Sequence, residues 1–279
     1  MISILTMYAV TPCHAGSGSS FSVIDLPIQR ERHTNWPVIH ASGMKGAMRA
    51  QFDRYKGNIQ NSADNLTELV FGSEKSEFAG SLTVSDAKIL AFPMRSSFAP
   101  FVWITCPAVL ARLNKDLKFA TIAGDDLSAL HKIGKNEAFW LRDGFSADTN
   151  ILLEDVEVTT KKQVQLPNIG EFFSETDRLL IVHDEVFNYG VSNCTSVTAH
   201  IAINQETGTT KAGSLRYQEE LPSDSLLYSV VGWGDSRNLG DQLKAEMIKG
   251  FVTNDAIAGH LQVGGDETLG RGIFELTWK

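Results

Sequence analysis

Hydrophobic residues in this chain come in short runs cut by turn residues, and that pattern limits the possible folds more than any other feature. Residues 3–10 (SILTMYAV), GSLTVSDAKILAFP, SFAPFVWITCP, SLLYSVVGW, HLQV and the closing IFELTW each have the length of a strand. None approaches the roughly 18 consecutive apolar residues of a membrane span, so a membrane partner is not expected. Helix-period segments lie between the runs. HASGMKGAMRAQFDRYKG sets Met44, Met48, Phe52 and Tyr55 at spacings of four and three, with Ser42 as a possible N-cap and Gly57 past the end. SADNLTELVF (62–71) reads as a second short helix, and Pro107 can start a third in PAVLARLNKDL. A later helix puts Leu239, Leu243, Met247 and Phe251 on one side. Such alternation, with hairpins between, predicts an α+β fold with a ferredoxin-like (βαββαβ, RRM-like) core.

Two segments fall outside that pattern. From about 120 to 195 turn signals break the chain, and the stretch reads as an irregular insertion into one domain covering 1–279. At about 197–219, two alternating runs flank Glu206-Thr207-Gly208, which predicts a hairpin long enough to stand off the body as a finger. The apolar start, MISILTMYAVTPCHAG, lacks the basic stretch of a secretion signal and reads as a first strand. Cys13, Cys106 and Cys194 are scattered in no metal-binding spacing, which suits reduced thiols in the cytoplasm.

Charge narrows the function classes. The net charge of −8 argues against nucleic acid, but residues 28–56 hold six bases and two acids, a local +4. A basic strip on an acidic body suits a polyanion bound along one face, or simply a solvated surface. Lys45 and Arg49, four apart, project from one side of their helix. GGDETLGRG (264–272) comes close to a phosphate-binding P-loop, but Arg271 and Gly272 stand where Lys and Ser or Thr belong. Gly264, Gly265 and Gly270 could still offer free N–H groups to a phosphate backbone beside Arg271, or form a tight turn. No HExxH and no serine–histidine–acid spacing supports peptide or ester hydrolysis.

Asp25 stands alone between a Gly/Ser loop and the cluster Arg30, Glu31, Arg32, His33. Arg30 and Arg32 could offset negative charge on a phosphate under attack, and His14 lies across the glycine loop as a proton donor or acceptor. An ordinary carboxylate is a feeble base at neutral pH. Mg²⁺ held by Asp25 and by phosphate oxygens of a substrate is the more plausible chemistry.

TPCHAGSG, IDLPIQRERHT and PVIHASGMKGAMR together resemble the N-terminal signature of RAMP proteins, specifically the repeated backbone subunit of the Cmr (type III-B) CRISPR–Cas effector complex. The resemblance continues through Leu69-Val70-Phe71-Gly72, LTVSDAKILAFPMRS, FVWITCP and AINQETGTTKAGSLRYQEELP to the glycine loop, leaving about 120–160 unassigned. It implies a subunit that polymerises along a CRISPR guide RNA with copies of itself and other Cmr subunits. Each copy would cut the paired target RNA once. The family's catalytic aspartate matches Asp25, its loop histidine His14 and its guide-binding lysine Lys45. Its acidic residue after the hairpin matches Glu219, with Gln218 and Glu220 beside it. The implied guide contacts are Lys45, Arg49 and the glycine loop; the implied cofactor is Mg²⁺ or another divalent metal. A non-catalytic RNA-binding scaffold is the alternative. A stand-alone guide-processing nuclease is disfavoured, since no histidine pair sits at a catalytic spacing.

Overall fold

Strand β1 (Ile2–Ala9) lies in the middle of the main sheet with Ile4, Leu5 and Met7 sealed from solvent, which explains why its run is almost continuously apolar. A computed structural model describes residues 1–20, 23–56, 66–75, 77–142, 144–238 and 243–279. The other strands are β2 (Val38–Ile39), β3 (Leu82–Val84), β4 (Ala87–Arg95), β5 (Phe101–Thr105), β6 (Glu137–Trp140), β7 (Asn150–Leu153), β8 (Val156–Gln163), β9 (Leu179–Val182), β10 (Ser196–His200), β11 (Arg216–Glu220), β12 (Leu226–Trp233), β13 (His260–Gln262) and β14 (Ile273–Trp278). Helices are α1 (Ala41–Lys56), α2 (Leu66–Phe71), α3 (Pro107–Phe119), α4 (Pro167–Gly170), α5 (Asp184–Asn193) and α6 (Ala245–Gly250).

The main sheet runs β13-β14-β1-β12-β4-β5-β9-β6-β8-β7, with β2 added to β4 and β3 to β12. Its neighbours are antiparallel except β5 with β9 and β6 with β8. At its centre the order is β14-β1-β12-β4, with α1 leading from β1 toward β4 and α6 from β12 toward β14. The C-terminal strand closes on the first: Lys279 and Ile4 exchange backbone hydrogen bonds of 2.8 and 2.9 Å.

The 120–195 stretch differs from the irregular insertion expected of it. It supplies β6 to β9, which extend the main sheet, and α5, which packs on β4. Its strands are short, four residues for β6, β7 and β9, so turn residues dominate any window read along the sequence. Strands β10 and β11 form a separate two-stranded ribbon whose regular pairing ends at His200 and Arg216, and residues 201–215 join them.

Helix α1 buries Met44, Met48 and Phe52 fully, and Phe52 meets Phe71 of α2 edge to face at 5.5 Å. Its N-terminus is capped from a distance: Asp86 Oδ1 accepts the Ala41 N–H at 2.7 Å, in place of the expected Ser42 cap. Gly57 and the first residues of the expected second helix lie outside the described residues, as does Leu239. Near the C-terminus the buried face is Ala245, Ile248, Val252 and Ala256, whereas Met247 is 51% exposed. Met247 lies on the solvent side of α6, which widens after it into a π-helical turn over Phe251–Ala256.

One clamp fixes the loop between β1 and β2. Arg112 of α3 grips Glu31 with both arms, at 2.6 and 3.0 Å, and its guanidinium lies 4.9 Å from the Trp36 ring centre. Trp36 packs edge-on to Phe187 at 5.3 Å and donates to Asn188 Oδ1. Burial pushes the Glu31 carboxyl up, but hydrogen bonds from Arg112 and Thr34 and the Arg112 charge outweigh it and hold the group below the usual carboxylate range. A lowered folded-state value means that the clamp stabilises fully above the unfolded-state value and fades as pH falls through the folded one. Denaturant titrations between about pH 7 and about pH 3 should therefore show a shallower acid loss for Glu31→Gln than for the natural chain. Parallel curves would remove the clamp from that role. Phe52→Ala, which empties a sealed site, should cost about 3–5 kcal/mol in the same titration at neutral pH.

Candidate functional site

Strand β11 has two edges. One pairs with β10; the other takes two loops from the N-terminal part of the chain. Leu26 donates to Tyr217 O at 3.1 Å and accepts from Glu219 N at 2.9 Å, so the residues after Asp25 run along that edge like a short parallel strand. Asp25 itself accepts the Tyr217 N–H on Oδ2 at 2.7 Å. Its Oδ1 has no partner among the described residues, and the side chain sits at the surface. Two residues further on, Cys13 and Leu221 exchange backbone hydrogen bonds of 2.9 and 2.8 Å. His14 Nδ1 lies 2.7 Å from Glu219 O. A carbonyl only accepts, so Nδ1 carries the proton and Nε2 is left for other chemistry. The residues 217–221 thus hold both Asp25 and His14.

Glycines shape the floor under His14. An added Cβ on Gly16 would fall 2.7 Å from His14 Nε2, and one on Gly264 (φ +93°) would fall 2.6 Å from His14 O. Gly265 donates its N–H to that same oxygen at 2.9 Å. The glycine loop therefore differs from the phosphate cradle considered above. The N–H groups of Gly265, Gly270, Arg271 and Gly272 are spent on His14 O, Glu267 O, Asp266 O and Pro12 O. Close backbone approach to the His14 segment is what demands glycine here.

Gln218, Glu219 and Glu220 are all buried, at 2, 4 and 1% exposure, an unusual placement for three consecutive polar side chains. Strand alternation sends them to opposite sides, and each finds a partner. Gln218 donates to Asp266 at 2.6 Å, and Glu220 accepts from Arg271 Nε at 3.0 Å. Glu219 accepts from Arg30 at 2.6 Å, Thr195 at 2.8 Å and the Ile28 N–H at 3.0 Å. Arg30 spends its other arm on the carbonyls of Asn35 and Val191.

These partners revise several expectations. Glu219 and Arg30 form a buried ion pair that joins β11 to the Asp25 loop, and neither presents its charge to solvent as a proton-transfer or phosphate-binding group. Arg271 is partly committed to Glu220, and Arg49 reaches Gly72 O and Glu74. Arg32, which is exposed, and Lys45, which is half-buried, have no hydrogen-bond or ion-pair partner among the described residues. Burial pushes the Cys13 thiol up to about 12, so it is no nucleophile despite its position beside His14. Among the described residues no three His, Cys, Asp or Glu side chains gather as a metal-binding group, and no helix is long and apolar enough to cross a membrane. Reading the sequence missed Thr195, Asp266 and Arg112; the run Gln218-Glu219-Glu220 at the end of a strand was the one available signal.

The RAMP superfamily model matches residues 6–275. The chain belongs to the RAMP superfamily. The CRISPR system Cmr endoribonuclease Cmr4 of Pyrococcus furiosus is 32% identical over 291 residues, covering 99% of this chain and 95% of that protein. At that identity and coverage the chain falls within the Cmr4 family. The CRISPR system CMR subunit Cmr4 of Saccharolobus solfataricus is 25% identical over 97% of this chain and 94% of its own. A crystal structure of oligomeric Cmr4 from Pyrococcus furiosus superposes with a TM-score of 0.71 at 26% identity, covering all of this chain and 97% of the other. A subunit of the type III-B Cmr-beta complex bound to cognate target RNA shares the fold, with a TM-score of 0.77 at 23% identity over 100% and 97% of the two chains.

Glu219 on β11 and Asp25 on its edge should respond differently to removal. Glu219→Ala strands a buried guanidinium and should cost about 3–5 kcal/mol in denaturant unfolding. Asp25→Ala gives up one surface hydrogen bond and should cost about 1 kcal/mol. Equal losses would show that Asp25 is a structural residue.

Proposed function

We propose that the chain is a guide-RNA-binding filament subunit of a type III-B CRISPR effector and cuts complementary target RNA at regular intervals as a metal-dependent endoribonuclease. The observation that carries this reading is the Asp25 Oδ1, without a partner among the described residues on a half-buried carboxylate held to the β11 edge by the Tyr217 N–H, in a chain 32% identical to a named Cmr endoribonuclease. The order β14-β1-β12-β4, with α1 and α6 as its crossovers, supports reading the centre of the sheet as a ferredoxin-like core. The β10–β11 ribbon is then the finger. Its partners would be guide RNA, target RNA, further copies of itself and other Cmr subunits, and it would act in the cytoplasm.

RNA carries its own nucleophile, the 2′-OH, which A-form geometry keeps out of line with the adjacent phosphorus. Displacing one nucleotide with the finger brings that hydroxyl into line, and positioning of this kind lowers a barrier by several kcal/mol. Asp25 is placed to orient the displaced linkage, and His14 Nε2 to take or return a proton. Lys45 meets guide phosphates and Arg32 offsets charge on the phosphate under attack, while base pairing supplies the sequence specificity. A divalent ion fits this donor set only as one shared between Asp25 Oδ1 and RNA phosphate oxygens, where it would offset charge on the reacting phosphate.

The scaffold reading has one observation in its favour: Arg30 holds Glu219, which takes that carboxylate out of the chemistry and leaves the proposal resting on Asp25. Labelled target RNA mixed with the assembled complex, with Mg²⁺ and after chelation, separates the two. Evenly spaced products that vanish for Asp25→Ala and for the chelated complex, with guide binding intact, are expected. Cutting that survives Asp25→Ala would leave the scaffold. Lys45→Ala should weaken guide binding and lower its salt slope by about 1; an unchanged slope would take Lys45 off the guide.

A further inference from the structure

The β10–β11 ribbon is amphipathic, and its apolar face is uncovered. Ala199 lies opposite Tyr217 and Val197 opposite Glu219 in the register, so Val197, Ala199 and Tyr217 share one face with the buried Glu219, and Ile201 and Leu215 follow just beyond the last pair. Val197, Ile201, Leu215 and Tyr217 are 48, 52, 54 and 43% exposed. The opposite face carries Thr198, His200, Arg216 and Gln218. A two-stranded ribbon with a bare apolar face is marginal in water, so this face has the character of a surface awaiting an occupant.

Tyr217 is the one aromatic residue on that face and sits one pair outward from Val197 and Glu219. Its backbone N–H is the donor that holds Asp25 Oδ2, so ring and carboxylate are mounted on the same peptide unit. The phenol has no partner among the described residues. Arg216, the next residue along the strand, points to the opposite face, is exposed and has no ion-pair partner among them. An exposed aromatic ring on a ribbon that also carries an uncommitted cation suits single-stranded nucleic acid, because every base has a π-face and every linkage a charge.

Resting on the nuclease reading above, we infer that Tyr217 is a positioning residue: an unpaired target-RNA base stacks on its ring and thereby aligns the neighbouring phosphate with Asp25. The stack gives the displaced nucleotide a fixed seat, and the shared peptide unit sets the distance from that seat to the carboxylate.

The assembled complex is given a target carrying 2-aminopurine at the nucleotide beside the expected cut, with the 2′-OH at the cut replaced by hydrogen to keep the strand whole. The natural chain, Tyr217→Phe and Tyr217→Trp should all quench the fluorescence, and Tyr217→Leu should leave it severalfold brighter. On an ordinary target, single-turnover cutting should fall about tenfold or more for Tyr217→Leu and stay near the natural rate for Tyr217→Phe. Equal fluorescence and equal cutting for Tyr217→Leu and the natural chain would overturn the inference. So would a Tyr217→Leu chain that fails to assemble with its copies, because the face would then be a contact between subunits. A natural chain that quenches but never cuts would instead sink the nuclease reading and leave the stacking intact.

Discussion

The structure around the site depends on the outer edge of one short strand. An open strand edge presents N–H and C=O groups that need partners, and β11 satisfies its edge with two loops distant in sequence. Residues 25–28 take the first part of that edge, and residues 13–14 take the end. The site is therefore a by-product of completing a ladder. Asp25 and His14 occupy their places because backbone groups, which every sequence has, must be paired.

Side chains then lock the arrangement. Gln218, Glu219 and Glu220 turn β11 into a three-way junction with the glycine loop, the segment 28–30 and β10. Buried charge of this kind is costly to desolvate and contributes little net stability over an apolar pair. Its merit here is directional: Glu219 accepts from Arg30, Thr195 and Ile28 in a geometry that only one register of the strand permits. The clamp of Arg112 on Glu31 and Trp36 holds the far end of the same loop.

How much of this could be read beforehand varied with the range of the interaction. The α1 stripe was legible, because Met44, Met48 and Phe52 obey a local period. So were the isolated strands, whose apolar runs are cut cleanly by turns. Asp25 and His14 stood out by flanking the Gly/Ser loop beside a basic cluster, but a lone acid and a lone histidine carry no period that fixes where they end up, and the family signature supplied their implied roles. The fates of Arg30 and Glu219 were invisible: their partnership spans most of the chain, and a basic cluster looks the same on paper whether it faces solvent or a buried carboxylate. The glycine loop misled for a similar reason. Its composition suits an anion, but two of its N–H groups are answered by Pro12 and His14, from the opposite end of the sequence, and two by Asp266 and Glu267 within the loop. Region 120–195 hid its strands because three of the four have four residues, too few to establish a period, and the eight-residue β8 is mostly polar.

Mounting a ring and a carboxylate on a single peptide unit has a mechanical corollary. While the 2.7 Å hydrogen bond from the Tyr217 N–H to Asp25 holds, a shift of Tyr217 along the ribbon moves the carboxylate with it, because no side chain intervenes between them. The ribbon and the acid behave as a bracket: whatever seats the one calibrates the other, and misalignment of a strand lying on the ribbon is handed on undiminished to the side chain beneath it.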